Sequence, residues 1–240
     1  CNIKISNMVI NGDSCLTCKI RDCSILKPCS TTTLTAISNF KSKNKYGKGQ
    51  SVFAVGDEMK GVYFIKSGII KVEMHTPNGK SFIVKLVSSG DIVGYRECNN
   101  TSIKNYSATA VSEVSTCFIP IDAFKKILYD SPDLDKQIKN EFVRDLELME
   151  QKSLSLAFKP IKARVAEIIL QIADVYCYNA RRKSFVLDLS RQDVADLIGT
   201  TKEQVSAILK EFSRNSFIRY SGKKIYFIDT EAISTISINY

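Results

Sequence analysis

Ser190-Arg191-Gln192-Asp193-Val194-Ala195-Asp196-Leu197-Ile198-Gly199-Thr200-Thr201-Lys202-Glu203-Gln204-Val205 reads as two short helices and the turn between them. Ser190 is a good N-cap, and Asp193 stands three residues on, where an acid closes a capping box. Gly199 stops the first helix because it tolerates the left-handed conformation of a C-terminal cap. Thr200 and Thr201 are positioned to cap a second helix, with Glu203 or Gln204 completing its box. Val205, Ile208, Leu209 and Phe212 recur at helical spacing and form its buried face. Ala195 is small where the helices would cross, and Val205 fills the angle between them. The opposite face carries Lys202, Glu203, Ser206 and Lys210, all able to address bases or phosphates. Ser190, Arg191, Gln192, Thr200 and Thr201 stand at the two helix entrances and complete the candidate DNA contacts. A hairpin follows from Phe217 to Ile228, with Gly222 in its turn and Lys223 and Lys224 beside it, as in a winged helix-turn-helix. Such corners also serve as plain scaffolding, so a C-terminal region that mediates protein contacts is the competing reading.

Upstream of this unit the glycines mark a second one. Eight of the eleven glycines lie between Gly47 and Gly94, and none lies between Gly94 and Gly199. Ile70, Val72 and Met74 alternate with Lys71, Glu73 and His75 in the manner of a half-buried strand. Pro77-Asn78-Gly79 turns that strand into Phe82-Ile83-Val84-Lys85-Leu86, because Asn-Gly accepts positive φ. Gly56-Asp57 and Gly90-Asp91 mark further turns, and strands this short and frequent predict a β-roll or small barrel. From Ile121 the pattern becomes helical. Ser131-Pro132 interrupts it, and Asp133 to about Ala157 reads as one long helix. Leu134, Ile138, Phe142, Leu146 and Met149 lie on one stripe of that helix. The stripe is covered either by its own domain or by the same helix of a second subunit, and these five residues are the candidate dimerisation set. Lys159-Pro160 is a hinge, after which Ile161 to Tyr176 forms a helix and Phe185-Val186-Leu187 a strand. The expected organisation is a cysteine-rich segment (1–30), a β-roll (31–120), connecting and dimerisation helices (121–158) and a winged helix-turn-helix (159–240), an α+β fold.

The net charge is +9, and the stretch from Lys159 to Ile228 holds 13 Lys and Arg against 7 Asp and Glu. Most of the positive excess therefore lies with the two-helix motif, which suits a polyanionic partner such as double-stranded DNA. No run approaches the roughly 18 apolar residues that span a bilayer, and no signal-peptide pattern is present, so a cytoplasmic protein without membrane contact is expected. The chain begins at Cys1 rather than Met; a trimmed start is expected ahead of a mature lipoprotein.

Cysteine is abundant. Cys15, Cys18, Cys23 and Cys29 crowd into one short loop, and thiolates at such spacing suit zinc or an iron–sulfur cluster. A metal-free cysteine loop is the alternative. Cys117, in a strand before Phe118-Ile119, also reads as a small core residue. With His75 the only histidine, no Ser/His/Asp set can be assembled without it. A β-roll metalloenzyme of the cupin kind would also need several histidines. No enzyme is expected.

Taken in order, Gly56-Asp57, Val62-Tyr63-Phe64-Ile65 with Gly68, Gly90-Asp91-Ile92-Val93-Gly94, Cys117-Phe118-Ile119-Pro120, Leu189 to Ala195 and Lys202 to Ser206 resemble the Crp/Fnr superfamily of bacterial transcription regulators. The resemblance runs over nearly the whole chain and is closer to the Fnr-like than to the cyclic-AMP-binding branch. It implies a β-roll effector domain, a long dimerisation helix, and a homodimer whose two winged helix-turn-helix units read a two-fold-related DNA site. RNA polymerase would be a further partner if the protein activates. By the same resemblance Glu203 matches a recognition-helix glutamate that accepts from a cytosine amino group, and Lys202 and Ser206 match neighbouring contacts. Ala207 departs from the family pattern, which often has a guanine-reading Arg there. Cyclic AMP is disfavoured, because Gly94-Tyr95-Arg96-Glu97 replaces the ribose-binding Gly-Glu-Leu and no arginine precedes Ser107. Arg96 reads as an exposed loop residue. The oxygen-sensing branch carries a [4Fe–4S] cluster on four cysteines. Cys23, Cys29 and Cys117 match three of them, while the fourth position is Ile20, so Cys15 or Cys18 would have to substitute.

Overall fold

The computed structural model describes residues 14–96, 106–176, 184–221 and 224–238. After a 3-10 turn at Lys19–Cys23 come helix α1 (Thr31–Phe40) and the strands β1 (Ser42–Tyr46), β2 (Ser51–Phe53), β3 (Gly61–Ser67), β4 (Ile70–His75), β5 (Ser81–Val87), β6 (Ile92–Val93), β7 (Ser107–Ala110) and β8 (Val114–Pro120). Helices α2 (Ile121–Asp130), α3 (Pro132–Phe158) and α4 (Ile161–Val175) lead to strand β9 (Ser184–Val186). The chain continues through α5 (Arg191–Ile198), α6 (Lys202–Arg214), β10 (Ile218–Ser221), β11 (Lys224–Phe227) and α7 (Thr230–Ile238).

Strands β1 to β8 form two four-stranded antiparallel sheets, β1-β8-β3-β6 and β2-β7-β4-β5, the β-roll of the expected α+β fold. The hairpin expected at Asn78-Gly79 joins β4 to β5, with His75 opposite Ser81 and Gly79 at φ 79°. Strand β3 explains how the roll is stabilised on both sides. Tyr63 and Ile65 point between the sheets with Val52, Phe53, Ile70, Val72 and Ala108. Val62 and Phe64 point outward, into a second core with Leu34 and Ile37 of α1, Phe124 and Ile127 of α2, and Leu134 and Ile138 of α3. Both faces of this strand are thus dry, and each fully buried aliphatic or aromatic side chain contributes roughly 1.5–3 kcal/mol.

Ser131 and Pro132 break the helices as anticipated, and Pro132 starts α3 at its first turn, where a missing N–H costs nothing. The 27 residues of α3 run past the roll. Beyond Lys159-Pro160 a third core gathers α4, α5, α6, the strands β10-β11-β9 and α7. Two features here escaped the sequence reading. Strand β9 joins the hairpin as a third strand, with Phe185 opposite Ile225, and α7 packs along α4 through Ile233. This core also takes in Ile69, Ile83 and Val111 from the β-roll, so α5 packs against β5.

Candidate nucleic-acid interface

The caps read from the sequence are present in atomic detail. Ser190 Oγ accepts from the Asp193 N–H at 3.0 Å, and Asp193 Oδ2 accepts from the Ser190 N–H at 2.8 Å. Gly199 ends α5 at φ 63°, and its bare Cα lets the turn approach α3, since a Cβ there would stand 3.0 Å from Leu156 Cδ2. Thr201 Oγ1 accepts from the Gln204 N–H and caps α6. Val194, Ala195, Val205, Leu209 and Phe212 are buried between the helices, which holds α6 rigidly against α5.

What α6 then presents outward is Lys202, Glu203, Ala207 and Lys210, with Thr201 at its entrance, all exposed. Lys202 and Glu203 form a loose ion pair at 3.8 Å. Ser206 is half-buried and its hydroxyl donates to the Lys202 carbonyl at 2.7 Å. Thr200 is half-buried and hydrogen-bonds the Gln204 side chain. Ser190 and Gln192 are exposed at the entrance of α5, where Gln192 donates to Asp196 at 2.8 Å. Cations sit on the aromatic faces of the neighbouring strands: Arg191 of α5 lies 5.2 Å from the Tyr220 ring centre, and Arg219 of β10 and Lys224 of β11 lie 4.8 Å and 5.1 Å from that of Tyr226. Lys223 and Gly222 lie outside the described residues.

Asp193 has a second role that no local pattern signals. Lys71, on β4, donates to its Oδ1 at 2.9 Å and also pairs with the buried Glu73 at 3.0 Å. Burial would lower the Lys71 ammonium, but hydrogen bonds and charge from Asp193 and Glu73 outweigh it and raise its pKa. Lys48 adds a bond to the Asp188 carbonyl at 2.9 Å. The first helix of the motif is thereby tied to the β-roll.

On the long helix, Asp145 of α3 is a hub. It accepts from Lys85 Nζ at 2.6 Å, Tyr95 OH at 2.6 Å, and Arg96 Nη2 at 2.8 Å. Burial acts to raise its pKa, and the charge and hydrogen bonds of Lys85, with Tyr95 and Arg96, prevail and lower it. Tyr95 is 1% exposed, and burial together with Asp145 pushes its phenol far up. Arg96 is therefore no exposed loop residue. It is held by Asp145 and by the Tyr106 ring, 5.3 Å away. A loop arginine whose acceptor sits 49 residues further along gives no local sign of this.

The expected dimerisation stripe divides in two. Leu134 (0% exposed) and Ile138 (3%) are buried within their own subunit. Phe142 packs edge-on against Tyr95 at 5.3 Å. The roll and α1–α2 cover Leu134 and Ile138, while Phe142 is half-buried. Met149 is half-buried, and Leu146 alone of the five is exposed. The large exposed apolar side chains of α3 are Val143, Leu146, Leu154 and Phe158, spaced by three, eight and four on one helical face.

The cysteines part company as well. Cys15, Cys18 and Cys117 line one small cavity with Lys41 and Lys66, and Cys15 Sγ accepts from Lys41 Nζ at 3.3 Å. Cys23 is exposed, its backbone carbonyl lying against Gly90 where a Cβ would come within 2.3 Å. Cys29 is buried, its Sγ 3.7 Å from the Ile25 carbonyl, and burial followed by the charge of Asp133 pushes its thiol up to about 12. Among the described residues no three His, Cys, Asp or Glu side chains converge as a metal site. The expected set of Cys23, Cys29 and either Cys15 or Cys18 is thus not brought together, and this arrangement does not fit a [4Fe–4S] cluster or zinc.

Residues 43–131 match the cyclic nucleotide-binding domain family, and residues 163–236 match the Crp-like helix-turn-helix domain family. The chain belongs to the Crp/Fnr superfamily of transcription regulators. It is 27% identical to the fumarate and nitrate reduction regulatory protein of Yersinia pestis over 243 residues, covering 98% of this chain and 96% of the relative. It is 26% identical to the CRP-like cAMP-activated global transcriptional regulator of Mycobacterium tuberculosis over 190 residues, 79% of this chain and 85% of that one. FixK2 from Bradyrhizobium japonicum shares the fold, with a TM-score of 0.74 and 19% identity over 83% of this chain and 98% of its own. The relatives are named as regulators, not enzymes. Among the described residues no helix of this superfamily member is long and apolar enough to cross a membrane.

Proposed function

We propose that this Crp/Fnr protein is a cytoplasmic, homodimeric regulator that binds double-stranded DNA in a sequence-specific manner and responds to a signal received in its N-terminal half. The observation that carries the reading is the rigidly capped α6, whose Lys202, Glu203, Ala207 and Lys210 stand exposed on one face beside a basic, aromatic-backed sheet. Glu203 is the base reader, accepting from a cytosine amino group, and Ala207 is sized for a thymine methyl. Ser190, Arg191, Gln192, Thr200, Thr201, Lys202, Ser206, Lys210, Lys223 and Lys224 contribute positioning contacts, mostly to phosphates. The second subunit covers Val143, Leu146, Leu154 and Phe158, since four exposed apolar side chains on one helical face suit pairing with a copy of themselves. If the protein activates transcription, RNA polymerase is its further partner.

Cyclic AMP is not the favoured signal. The stretch matching the nucleotide site is filled by the buried Tyr95, and Arg96 is already engaged with Asp145. Selection from a pool of random duplexes tests the whole reading. Full-length protein should enrich one two-fold-related sequence, and Glu203→Ala should relax the preference within each half-site. Equal affinity for selected and random duplexes would leave protein contact as the role of the C-terminal helices.

A further inference from the structure

A cleft of about 330 Å³ lies where the β-roll, the long helix and the helix-turn-helix unit meet, within the size range of small-molecule sites. Its walls come from β5, α3, α4 and the last turn of α5. The lining is chiefly aliphatic, with Leu148, Leu156, Ile168, Ile172 and Leu197 facing the space, and among the described residues it holds no aromatic ring. A nucleobase or phenol would find nothing to stack on.

The polar groups in the walls are unevenly matched. Glu167 is satisfied, accepting from Ser155 Oγ at 2.6 Å and Lys159 Nζ at 2.9 Å. Lys85 is satisfied by Asp145. Two cations have no carboxylate partner among the described residues. Lys152 donates to the Ile83 and Val84 carbonyls at 2.5 and 3.1 Å and sits 4.6 Å from the Phe82 ring centre. Two carbonyls and a ring face take up its donors without supplying a counter-charge. Arg164 gives one Nη to the Ile198 carbonyl at 2.6 Å, while its Nε–H is buried with no partner. A buried donor left unmade costs about 1–3 kcal/mol, and a buried cation without a counter-charge is costlier still.

We propose that this cleft binds a small aliphatic carboxylate, its head group between Lys152 and Arg164 and its chain among the leucines and isoleucines. The head group supplies the counter-charge that Lys152 and Arg164 lack, and the chain covers apolar wall. Burial depresses the Lys152 ammonium to about 8, a strain that an anion relieves. Leu197 and Ile198 end the first helix of the motif, and Gly199 beyond them touches Leu156. A ligand seated here contacts both the roll and the helix-turn-helix, and so favours the docked arrangement in which the cleft exists.

The test uses octanoate, below its micellar concentration, on full-length protein without DNA, followed by calorimetry and by the methyl signals of Leu148, Leu156 and Leu197. We expect saturable binding that moves those methyl signals, at least tenfold weaker binding of octanol, and at least a tenfold loss of octanoate affinity in Lys152→Met. Leu148→Trp, which fills the cleft and leaves both cations in place, should abolish binding. Octanol binding as tightly as octanoate, an unaffected Lys152→Met or Leu148→Trp protein, or no octanoate binding at all would overturn the proposal. Because no DNA is present, such a failure leaves the proposed DNA reading untouched.

Discussion

Replacing Asp145 by alanine removes the acceptor of four hydrogen bonds, one each from Lys85 and Tyr95 and two from Arg96. The side chains of Asp145, Lys85 and Arg96 are 13%, 12% and 26% exposed, so water cannot easily take over. Breaking a buried pair by deleting one partner costs about 3–5 kcal/mol, because the orphaned charges stay behind. At about 2–4 °C per kcal/mol for a chain of this size, the midpoint of thermal unfolding should fall by roughly 6–20 °C. Asp145→Asn keeps an acceptor but loses the charge, and should recover part of that loss. The sign of the pH effect follows from the lowered native pKa. The carboxylate stabilises the fold fully above the ordinary aspartate value of 3.8, and its contribution fades as pH falls through the depressed native one. The gap between wild type and Asp145→Ala should therefore narrow only in strong acid. Denaturant titration across pH reads both effects. A loss below about 1 kcal/mol, typical of exposed ion pairs, would show that the cluster is solvated and does not tie α3 to the roll.

Leu146→Asp should yield a folded monomer by sedimentation, whereas Phe142→Asp, placed against Tyr95, should destabilise the subunit itself by several kcal/mol; a folded monomer from both would mean that Phe142 faces the partner. Gly199→Val should cost at least about 1–2 kcal/mol in a denaturant titration, since φ 63° is unfavourable to a β-branched residue and Leu156 is already close; a neutral effect would refute the close approach of the turn to α3. Lys152 is depressed from 10.5 to about 8, so its charged form weakens the fold below pH 8 and the cost is relieved as pH rises toward 10.5. The stability of wild type relative to Lys152→Met should thus climb across that window, by roughly 3–4 kcal/mol before discounting for partial exposure and on the order of 2–3 kcal/mol after it; a flat difference would place the ammonium in water.

The helix-turn-helix was legible because its information is local. Ser190, Asp193, Gly199 and Thr201 each satisfy or end a backbone run within a few residues, and the Asn78-Gly79 hairpin is local in the same sense. The stripe on α3 was legible only as a stripe. Leu134 and Leu146 carry the same periodic signal, yet one is buried by the roll and the other is bare, and the covering surface is encoded elsewhere in the chain. The cysteines mislead for a related reason. Spacing reports how near four thiols are along the chain, not that Cys29 turns into a core beside Asp133 while Cys15 turns toward Lys41. Lys71 with Asp193, and Arg96 with Asp145, join residues 122 and 49 positions apart, beyond the reach of any pattern.

The central claim, that two copies of this chain present their α6 helices to one duplex, is tested most directly by hydroxyl-radical footprinting of the full-length protein on its selected site. Two protected patches are expected, related by a two-fold axis and centred about 34 Å apart, one turn of the duplex. Both patches should disappear together in Leu146→Asp at concentrations where wild type protects fully. A single patch, or the double pattern retained by the monomeric variant, would contradict it.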